Sequence, residues 1–592
     1  MEKSKITKSL AVFASVLLII IIGVASFAYF GTFNVNLNNN VAVNINSSSP
    51  GNATFTSNAS QLNLQVPAAN MSFTVANNTV AAKEDTAFLD VTLTGSENLL
   101  TTCTYDIVYE YDAGSNVYGQ GTTTKTSGAT KEITIEVNGM NGNNHFATET
   151  NFDHANIQGY YDSTNKYYKL VEGATIKSLG STQSVRWKII GRYYNLDVSQ
   201  AQLGGKNFTG KIYAISKGCS SEDGTTVKKG YETILANNGG AASMTTLTST
   251  DFATATTASD KGMYKAQDDL GTSYYFRGAV DNNWVKYGKY TKDAYVTQDS
   301  NGNISLVESC NGLNFCIKLA SKGDDMYWRI IRVNGDNSIR MIYTGTSAPD
   351  NNTKVVMTES TNSSGYIRAT SAGASNFNQN SNSAEYVGYM YTIGEQHGTS
   401  QSSDIKTYLE DWYANYTDLN KSGTKITDQI YCNDRTASTS ESGTAGEISS
   451  WASNGTAYYY GAHLRLYGDS SNSSPSLKCT NANDKFTTTT VKGNGKLSYS
   501  VGLITTDEVN MAGANNESKG NTSYYLYNGS VYWAGSPRVF SDSTSFVFVV
   551  REGGRLFSDG VYMVYGVRGV VSLSSESKLL GRGTYDDVYT VN

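Results

Sequence analysis

Short segments in which apolar and polar residues alternate recur along the first third of the chain. Such alternation puts the apolar side chains on one face of a strand. The clearest segments carry Leu89, Val91 and Leu93, then Cys103, Tyr105, Ile107 and Tyr109, then Ile133, Ile135 and Val137, and then Val185, Trp187 and Ile189. The pattern predicts an immunoglobulin-like β-sandwich over residues 32–218, which we interpret as a spacer or adhesive module.

The alternation ends near residue 219, and Thr, Ala, Ser and Gly dominate as far as residue 261. This change in composition predicts a linker over 219–261, with one short helix near Tyr231 to Ala236. Beyond it, two helical patterns lie among scattered strands, one capped by Ser403 and one opened by the capping-box spacing of Thr505 and Glu508. The second domain, 262–592, is therefore predicted to be α+β.

The last part of this domain, Tyr532 to Leu573, consists of β-prone runs separated by the turn signals Gly553-Gly554 and Asp559-Gly560. It predicts a small antiparallel meander with one packed face and one exposed face. The positions predicted to line the core are Trp533, Phe540, Phe548, Val550, Leu556, Val561, Val567 and Val571. The positions predicted to bind a ligand on the exposed face are Arg538, Val539, Asp542, Phe546, Arg551, Glu552, Arg555, Phe557, Asp559, Tyr562, Met563, Val564 and Tyr565. Arginine and aromatic side chains are the types that most often contribute binding energy at interfaces.

The composition favours extended structure and argues against several classes of function. Charged residues make up only 17% of the chain and there are 42 Tyr, a residue favoured both in strands and on recognition surfaces. The net charge of -6 argues against a nucleic-acid partner, which needs a basic surface. The sequence contains no H-E-x-x-H, no G-x-S-x-G and no phosphate-binding loop. We therefore expect neither enzyme activity nor a cofactor or metal.

The N-terminal residues 1–31 have the pattern of a cytoplasmic stub followed by a membrane anchor. Lys3, Lys5 and Lys8 precede an uncharged apolar run from Leu10 to Phe30, which is long enough to cross a bilayer. Basic residues before such a run favour a cytoplasmic N-terminus and an exported remainder. The chain is therefore predicted to be a single-pass cell-surface protein. A cleaved signal peptide is the alternative, and the protein would then be secreted.

The six cysteines are an even number, which suits disulfides in an oxidising compartment. They are Cys103, Cys219, Cys310, Cys316, Cys432 and Cys479. Metal binding is disfavoured because no C-x-x-C spacing occurs among them.

Several longer segments of the second domain form a recognisable set. They are G-T-S-Y-Y-F-R-G-A-V (Gly271 to Val280), Y-W-R-I-I-R-V-N-G-D (Tyr327 to Asp336), V-G-Y-M-Y (Val387 to Tyr391), Y-C-N-D-R (Tyr431 to Arg435), S-L-K-C (Ser476 to Cys479), V-G-L-I-T-T-D-E-V (Val501 to Val509), Tyr532-Trp533-x-x-Ser536-Pro537 and Gly566-Val567-Arg568. Together they run through most of Gly262 to Asn592. This part of the chain resembles the formylglycine-generating-enzyme-like branch of the C-type lectin fold, as in uncharacterised Bacillota surface proteins.

The resemblance implies a C-type-lectin-like domain and a disulfide between Cys432 and Cys479, which lie in two of these segments. It does not imply oxidase activity, because the meander contains no Cys to match the reactive pair of the active enzymes. The family's segment commonly ends G-V-R-P, whereas in this chain Gly569 follows Arg568. Glycine fixes the local backbone less tightly than proline does.

The same fold carries the variable proteins of diversity-generating retroelements, in which a C-terminal segment is rewritten on a stable scaffold. The segment after Ser536-Pro537 resembles such a segment. The resemblance thus implies a cell-surface ligand-binding or adhesion protein whose extracellular ligand is a glycan, a protein or a phage component. A structural envelope protein is the alternative, and an enzyme of the formylglycine-generating type is less favoured.

Overall fold

The chain is mainly β in the computed structural model that describes most of it. The described residues are 41–46, 52–65, 83–95, 98–111, 131–139, 141–194, 196, 200, 207–299, 303–310, 316–349, 372–452, 456–467, 473–515 and 520–592. Strands account for 46% of this structure and helices for 12%, so sheets form its framework. The chain divides into two compact units, Met1–Thr226 and Val227–Asn592.

The predicted anchor or signal peptide in residues 1–31 lies outside the described residues. Within the described ranges, no helix combines the length and the apolar character needed to cross a membrane. The membrane segment therefore stays a prediction.

The first unit is built from two sheets. Its strands are β1 (Val41–Asn46), β2 (Asn52–Ser57), β3 (Ser60–Gln65), β4 (Lys83–Thr94), β5 (Leu99–Tyr111), β6 (Ile133–Asn138), β7 (Asn143–Asn144), β8 (Thr150–Asn151), β9 (Tyr161–Asp162), β10 (Tyr167–Leu179), β11 (Thr182–Tyr193) and β12 (Asn207–Asp223), and its short helix is α1 (His154–Ile157). One sheet has the order β1-β2-β4-β11-β6-β8. The other has the order β3-β12-β5-β10-β7, with β9 paired to β10.

Apolar side chains from the two sheets meet inside this unit. Trp187 on β11 donates a hydrogen bond from Nε1 to the hydroxyl of Tyr105 on β5, 3.0 Å away, and both side chains are fully buried. Phe55 on β2 packs against the same tyrosine, with ring centroids 5.7 Å apart. The alternating positions in the sequence thus predict the buried face correctly.

The segment 219–261, predicted as a linker, contains regular structure. It includes the end of β12, a helix α2 (Gly230–Asn237) and a shorter helix α3 (Ser249–Phe252). Ile234 and Phe252 of these helices are buried, and most of the segment belongs to the second compact unit. Helices this short bury few side chains, so they leave little periodic pattern in the sequence.

The described part of the second unit contains many short strands and three further α-helices. The strands are β13 (Lys261–Asp268), β14 (Gly271–Gly278), β15 (Trp284–Lys289), β16 (Ala294–Gln298), β17 (Ile304–Val307), β18 (Cys316–Ala320), β19 (Asp325–Val333), β20 (Ile339–Gly345), β21 (Ala374–Asn376), β22 (Met390–Tyr391), β23 (Gln401–Ser402), β24 (Tyr431–Cys432), β25 (Ala437–Ser438), β26 (Tyr458–Tyr460), β27 (Lys485–Phe486), β28 (Tyr532–Ser541), β29 (Thr544–Val550), β30 (Leu556–Gly560), β31 (Val564–Gly566), β32 (Val570–Leu573), β33 (Leu579–Leu580) and β34 (Tyr589–Val591). The helices are α4 (Asp404–Asp411), α5 (Gly461–Tyr467) and α6 (Thr506–Ala512).

Two larger sheets form most of the second unit. One has the order β13-β14-β19-β15-β34-β33, with β20 paired to β19 and β32. The other has the order β21-β31-β28-β26-β25, with β29 joining β28 to β30. The meander β28-β29-β30 is antiparallel as predicted, but β31 pairs with β28 in parallel, at Tyr532 and Gly566. The chain crosses back over the sheet after β30, and hydrophobic alternation carries no information about such a crossing.

Local sequence signals predict two of these helices correctly. The hydroxyl of Ser403 accepts a hydrogen bond from the amide of Lys406 and caps α4. Thr505 and Glu508 form a reciprocal capping box at the start of α6. Leu409 of α4 is fully buried.

Three disulfides pair the cysteines: Cys103–Cys219, Cys310–Cys316 and Cys432–Cys479. The first joins facing residues of β5 and β12 within one sheet. The third is the pairing that the family resemblance implies. The two disulfides of the second unit differ greatly in the loops they close, with sequence separations of 6 and 47 residues.

Removal of Cys432–Cys479 should destabilise the second unit more than removal of Cys310–Cys316. In the chain-entropy model, a cross-link over 47 residues stabilises by about 4 kcal/mol, and one over 6 residues by about 2 kcal/mol. We expect the Cys432→Ser/Cys479→Ser variant to unfold at a lower guanidinium concentration than the Cys310→Ser/Cys316→Ser variant. Equal losses would show that the longer loop is already constrained in the unfolded chain.

Candidate functional site

Two tight turns shape the meander. The first joins β28 to β29 through Asp542 and Ser543, whose φ angles are 48° and 57°. Positive φ at both central residues is the geometry of a type I′ turn. The second lies between Arg551 and Arg555, where the Arg551 amide donates to the Arg555 carbonyl at 2.9 Å and Gly554 has a φ of 74°. This turn, which the Gly553-Gly554 signal predicts, brings the two arginines together at one end of the sheet.

The turn predicted at Asp559-Gly560 lies slightly later in the chain. Both residues belong to β30, and the amide of Met563 donates to the carbonyl of Gly560 at 3.0 Å to close the turn. Asp559 pairs with Val547 across the sheet. Its side chain therefore lies on a strand face, and the exposed corner of the turn carries Tyr562 and Met563.

All eight positions predicted to line the core are buried. They are Trp533, Phe540, Phe548, Val550, Leu556, Val561, Val567 and Val571. The burial of these positions is thus predicted correctly, but the prediction of a single packed face is wrong. Val547 and Val549, which pair with Asp559 and Phe557 on the other face, are also fully buried.

The predicted ligand-binding positions fall into three groups by exposure. Asp542, Glu552, Tyr562 and Met563 are exposed, Arg538, Phe546, Arg551, Arg555, Phe557, Asp559 and Val564 are half-buried, and Val539 and Tyr565 are buried. The prediction of an exposed position is wrong for the last two. Val539 lies on β28, which has a strand on each side, and pairs with Tyr459 and Phe546. The ring of Tyr565 packs against Trp533, with centroids 5.3 Å apart.

The candidate residues do not share one face of the meander. Ser558 and Asp559 are consecutive on β30, so their side chains point to opposite faces. Arg538 donates to the Ser558 hydroxyl at 2.7 Å, and its guanidinium lies 5.3 Å from the Tyr467 ring of α5. Arg551 instead binds Asp559, with Nη2 and Oδ2 2.5 Å apart. Arg538 therefore belongs to the face next to α5, and Arg551 belongs to the opposite face.

On the face of Arg551, five side chains form one connected group, which we name the cation–π cluster: Arg551, Arg555, Phe557, Asp559 and Tyr565. The guanidinium of Arg551 lies 4.7 Å from the Phe557 ring centroid and 5.7 Å from that of Tyr565. Arg555 lies 5.2 Å from the same Phe557 ring. The Tyr565 hydroxyl donates to Asp559 at 3.1 Å. A cation over an aromatic ring is attracted by about 0.5–2 kcal/mol, so the rings hold both guanidinium groups in place.

The carboxylate of Asp559 lies in an environment that disfavours its charged form. Burial raises its pKa, although Arg551 and the Tyr565 hydroxyl act to lower it, and the charge of Glu552 adds to the rise. When the pKa of a carboxyl group is higher in the folded than in the unfolded state, the protonated form stabilises the fold. At neutral pH the group is charged, and its charge then lowers the free energy of unfolding. Perturbed groups of this kind are concentrated at functional sites.

At the end of β30 opposite to the Arg551–Arg555 turn, the corner residues Tyr562 and Met563 form an exposed apolar surface, which we call the tip. Among the described residues, the exposed large hydrophobic side chains are Ile393, Val491, Tyr562, Met563 and Tyr585. Tyr562 and Met563 are the adjacent pair in this set, with 51% and 36% of their surface exposed. Asn376 of β21 donates from Nδ2 to the Tyr562 carbonyl at 2.9 Å and anchors the turn. No sequence pattern marks Asn376, because the contact joins residues 186 positions apart.

A buried histidine that no motif marks lies next to Arg538 on the other face. His463 of α5 stacks on Tyr467, with ring centroids 5.6 Å apart and planes 7° from parallel. Burial, and then the charge of Arg538, lowers the pKa of His463 to about 4. The ring is therefore neutral at physiological pH and acts as packing beneath Arg538.

A second candidate site is a polar cleft inside the unit. Its charged lining includes Arg332, Arg340, Asp434, Arg465, Asp507 and Glu508. Glu508 binds Arg332 at 2.9 Å and Arg340 at 2.6 Å, and Arg465 binds Asp434 at 2.6 Å and Asp507 at 2.8 Å. These charges compensate one another within the protein. We therefore interpret the cleft as an ion-pair network that stabilises the fold.

The charge of Glu508 is strongly favoured in the folded state. Its burial would raise the pKa, but Arg340 and Arg332 outweigh this effect and lower the pKa from 4.5 to about 2. A carboxylate with a lowered pKa stabilises the fold above its unfolded pKa and loses this contribution as the pH falls. Glu508 and Asp559 thus have opposite effects on stability.

Replacement of Glu508 by Gln should destabilise the protein strongly at neutral pH. It leaves Arg332 and Arg340 buried without their carboxylate, for which a loss of about 3–5 kcal/mol is expected. The wild-type protein should lose this advantage over the variant as the pH falls from 4.5 towards about 2. Urea unfolding across this pH range measures the difference.

The control is Asp559→Asn, because the pKa of this carboxyl group is shifted in the other direction. The stability of the wild-type protein relative to this variant should fall as the pH rises through the ordinary aspartate range, since the folded state binds the proton more tightly. Equal losses of stability in both variants at neutral pH would contradict the distinction between the structural network and the cation–π cluster.

The remaining comparisons concern metals and known proteins. In the part of the chain that the structure describes, no three His, Cys, Asp or Glu side chains are grouped to hold a metal ion. No protein-family model, no curated protein and no solved structure matches the chain. A function for the chain is therefore proposed from the contacts of its own residues.

Proposed function

We propose that the chain is a cell-surface protein that binds an extracellular ligand through the cation–π cluster and the tip. The observation that carries this proposal is the pair of exposed apolar side chains, Tyr562 and Met563, at one end of β30, whose other end carries two guanidinium groups stacked on Phe557. Tyrosine, arginine and methionine are enriched at protein interfaces. Burial of one such apolar side chain in a partner contributes about 1.5–3 kcal/mol.

The proposal assigns each unit to a fold class. The contact between Trp187 and Tyr105 across two sheets supports an immunoglobulin-like β-sandwich for the first unit. The Cys103–Cys219 disulfide lies within one sheet, so the likeness concerns the two-sheet architecture and not the inter-sheet disulfide of antibody domains. The family resemblance, together with the mixture of short strands and helices, supports a C-type-lectin-like domain for the second unit.

The proposal also includes diversification of the meander by a retroelement. The buried positions of the meander form an apolar framework, while the positions around the cation–π cluster combine charged and aromatic residues. Substitutions at exposed positions usually change stability by about 0.5 kcal/mol or less, so such a surface tolerates variation. A nearby reverse-transcriptase gene and an imperfect repeat of the codons for Trp533 to Arg568 would be its signature, and their absence from the flanking DNA would contradict it.

Display outside the cell is proposed from the N-terminal sequence. The lysines before the apolar run Leu10 to Phe30 support a single-pass anchor with the C-terminal part outside. A cleaved segment would instead give a secreted protein. Protease added to intact cells should remove nearly the whole chain if it is anchored, and protection until lysis would contradict export.

A binding function is favoured over the two alternatives. The meander has no Cys to match the reactive pair of the formylglycine-generating enzymes, so we propose no enzyme activity. A purely structural envelope protein gains nothing from two adjacent exposed apolar side chains at the end of a rigid sheet. Aromatic residues and Met are enriched at interfaces relative to the rest of a protein surface.

Replacement of Tyr562 and Met563 together by Ser should weaken binding strongly without unfolding the protein. Both side chains are exposed, so we expect the melting temperature to stay nearly constant. Loss of about 1.5 kcal/mol or more of buried apolar contact should weaken binding at least tenfold. The full chain is first screened against glycan and extracellular-protein arrays, and the variant is then titrated against each ligand found.

The matched control is Tyr585→Ser, which removes an exposed aromatic residue elsewhere on the same unit. It should leave both binding and melting temperature unchanged. If the Tyr562→Ser/Met563→Ser variant binds as tightly as the control, the ligand site lies elsewhere. If it unfolds, the tip is part of the core.

A further inference from the structure

Two loops of the second unit are joined by consecutive side chains of one of them. We name residues 392–398 the first loop and residues 446–451 the second loop. Gln396 of the first loop donates from Nε2 to the carbonyl of Gly446 at 3.1 Å, and its Oε1 accepts from the amide of Ile448 at 2.8 Å. The next residue, His397, contacts Glu447 of the second loop. The contact between the loops is therefore centred on Gln396 and His397.

Both nitrogens of the His397 ring face a carboxylate. Nδ1 lies 2.9 Å from Oδ2 of Asp484, and Nε2 lies 3.1 Å from Oε2 of Glu447. A carboxylate can only accept hydrogen bonds, whereas a neutral imidazole carries hydrogen on one of its two nitrogens. Both contacts are therefore favourable at the same time only when the ring is protonated. In the neutral ring, one nitrogen lone pair faces a carboxylate oxygen.

The charged groups around this ring balance when it carries a positive charge. Asp484 is fully buried and also binds Arg435, whose Nε donates to Oδ1 at 2.8 Å and whose backbone amide donates to Oδ2 at 2.6 Å. Glu447 is exposed, and Asn481 donates to its Oε1 at 2.8 Å. Arg435 and a charged His397 thus face two carboxylates, whereas a neutral His397 leaves one negative charge in excess.

The same loops hold an aromatic side chain in place. The buried carboxylate of Glu385 accepts hydrogen bonds from the Trp451 indole at 2.8 Å and from the amide of Gly394 at 2.9 Å. Trp451 is half-buried and stacks on Tyr458, with ring centroids 4.3 Å apart. Because Gly394 belongs to the first loop and Trp451 to the second, the position of Trp451 depends on the contact between the loops.

We propose that His397 is a pH-sensitive link between the two loops. The protonated ring binds Asp484 and Glu447 together and holds the second loop against the first. Loss of the proton weakens the contact with Glu447, and the second loop then opens more often, although Gln396 still joins the two loops. Histidine changes charge between about pH 5 and 8, so the link tightens on acidification and weakens as the pH rises. This link is separate from the proposed ligand site on the meander.

The other histidines do not have the same arrangement. The chain contains four His, and His145 and His154 belong to the first unit. The pKa of His463 is lowered to about 4, so this ring stays neutral at pH values near neutrality. A response of the loops in this range that depends on Glu447 is therefore assigned to His397.

Hydrogen exchange of the full chain, followed by mass spectrometry of peptides that cover residues 446–451, tests the inference. The amide of Ile448 is bound to Gln396, so its exchange reports opening of the second loop. After correction for intrinsic exchange, the protection factor in the wild-type protein should fall about threefold or more between about pH 6 and 8. Glu447→Gln should remove this pH dependence, because an amide can donate to the neutral ring or accept from the charged one. His397→Gln should remove it as well.

The matched control is Glu441→Gln. Glu441 and Glu447 are equally exposed, at 68% and 66%, and Glu441 faces His463 at 3.6 Å. Because His463 stays neutral in this pH range, Glu441→Gln should show the same pH dependence as the wild-type protein. Replacement of the exposed Glu447 should leave the fold intact, so the comparison does not depend on the stability of His397→Gln. A protection factor that is constant with pH in the wild-type protein, or that changes equally in Glu447→Gln, would overturn the inference.

Discussion

The carboxylate of Glu508 joins the main parts of the second unit. It binds Arg332 of β19 and Arg340 of β20, and it also accepts a hydrogen bond from the amide of Thr505 at 3.0 Å to cap α6. One buried negative charge thus links a hairpin of the larger sheet to the start of a helix. Because a buried charge without a partner is strongly destabilising, these three elements depend on one another.

A short series of contacts extends this link to the meander. The Thr506 amide at the start of α6 donates to the Ser536 hydroxyl at 2.9 Å, and the Gly535 amide donates to the Ile504 carbonyl at 2.7 Å. Ser536 and Gly535 belong to β28, so the helix that Glu508 caps also positions the first strand of the meander. The turn that carries Arg551 and Arg555 lies at the Tyr532 end of this supported sheet, and the tip lies at the Val539 end. The residues that stabilise the fold are therefore different from those that form the proposed ligand site.

Interactions that are local in sequence could be predicted, and those that join distant segments could not. Alternation predicts the strands that carry Trp187 and Tyr105, and a capping residue predicts α4. The burial of Tyr565 depends on a contact with Trp533, and the parallel pairing of β31 depends on a chain crossing; neither has a local signal. For the candidate site, residue type indicates the meander as a whole. It does not separate Arg538 from Arg551, whose partners Ser558 and Asp559 lie on opposite faces because of the pleat of β30.

A saturation-mutagenesis scan of residues 532–573, with the amount of folded protein displayed on yeast as the readout, tests this division most directly. We expect Glu552, Tyr562 and Met563 to accept nearly all substitutions without loss of folded protein. Trp533 and Arg568, which are buried, should accept very few. If substitutions at Tyr562 and Met563 reduce folded protein as severely as those at Trp533, the tip belongs to the core, and the separation of stability from recognition is contradicted.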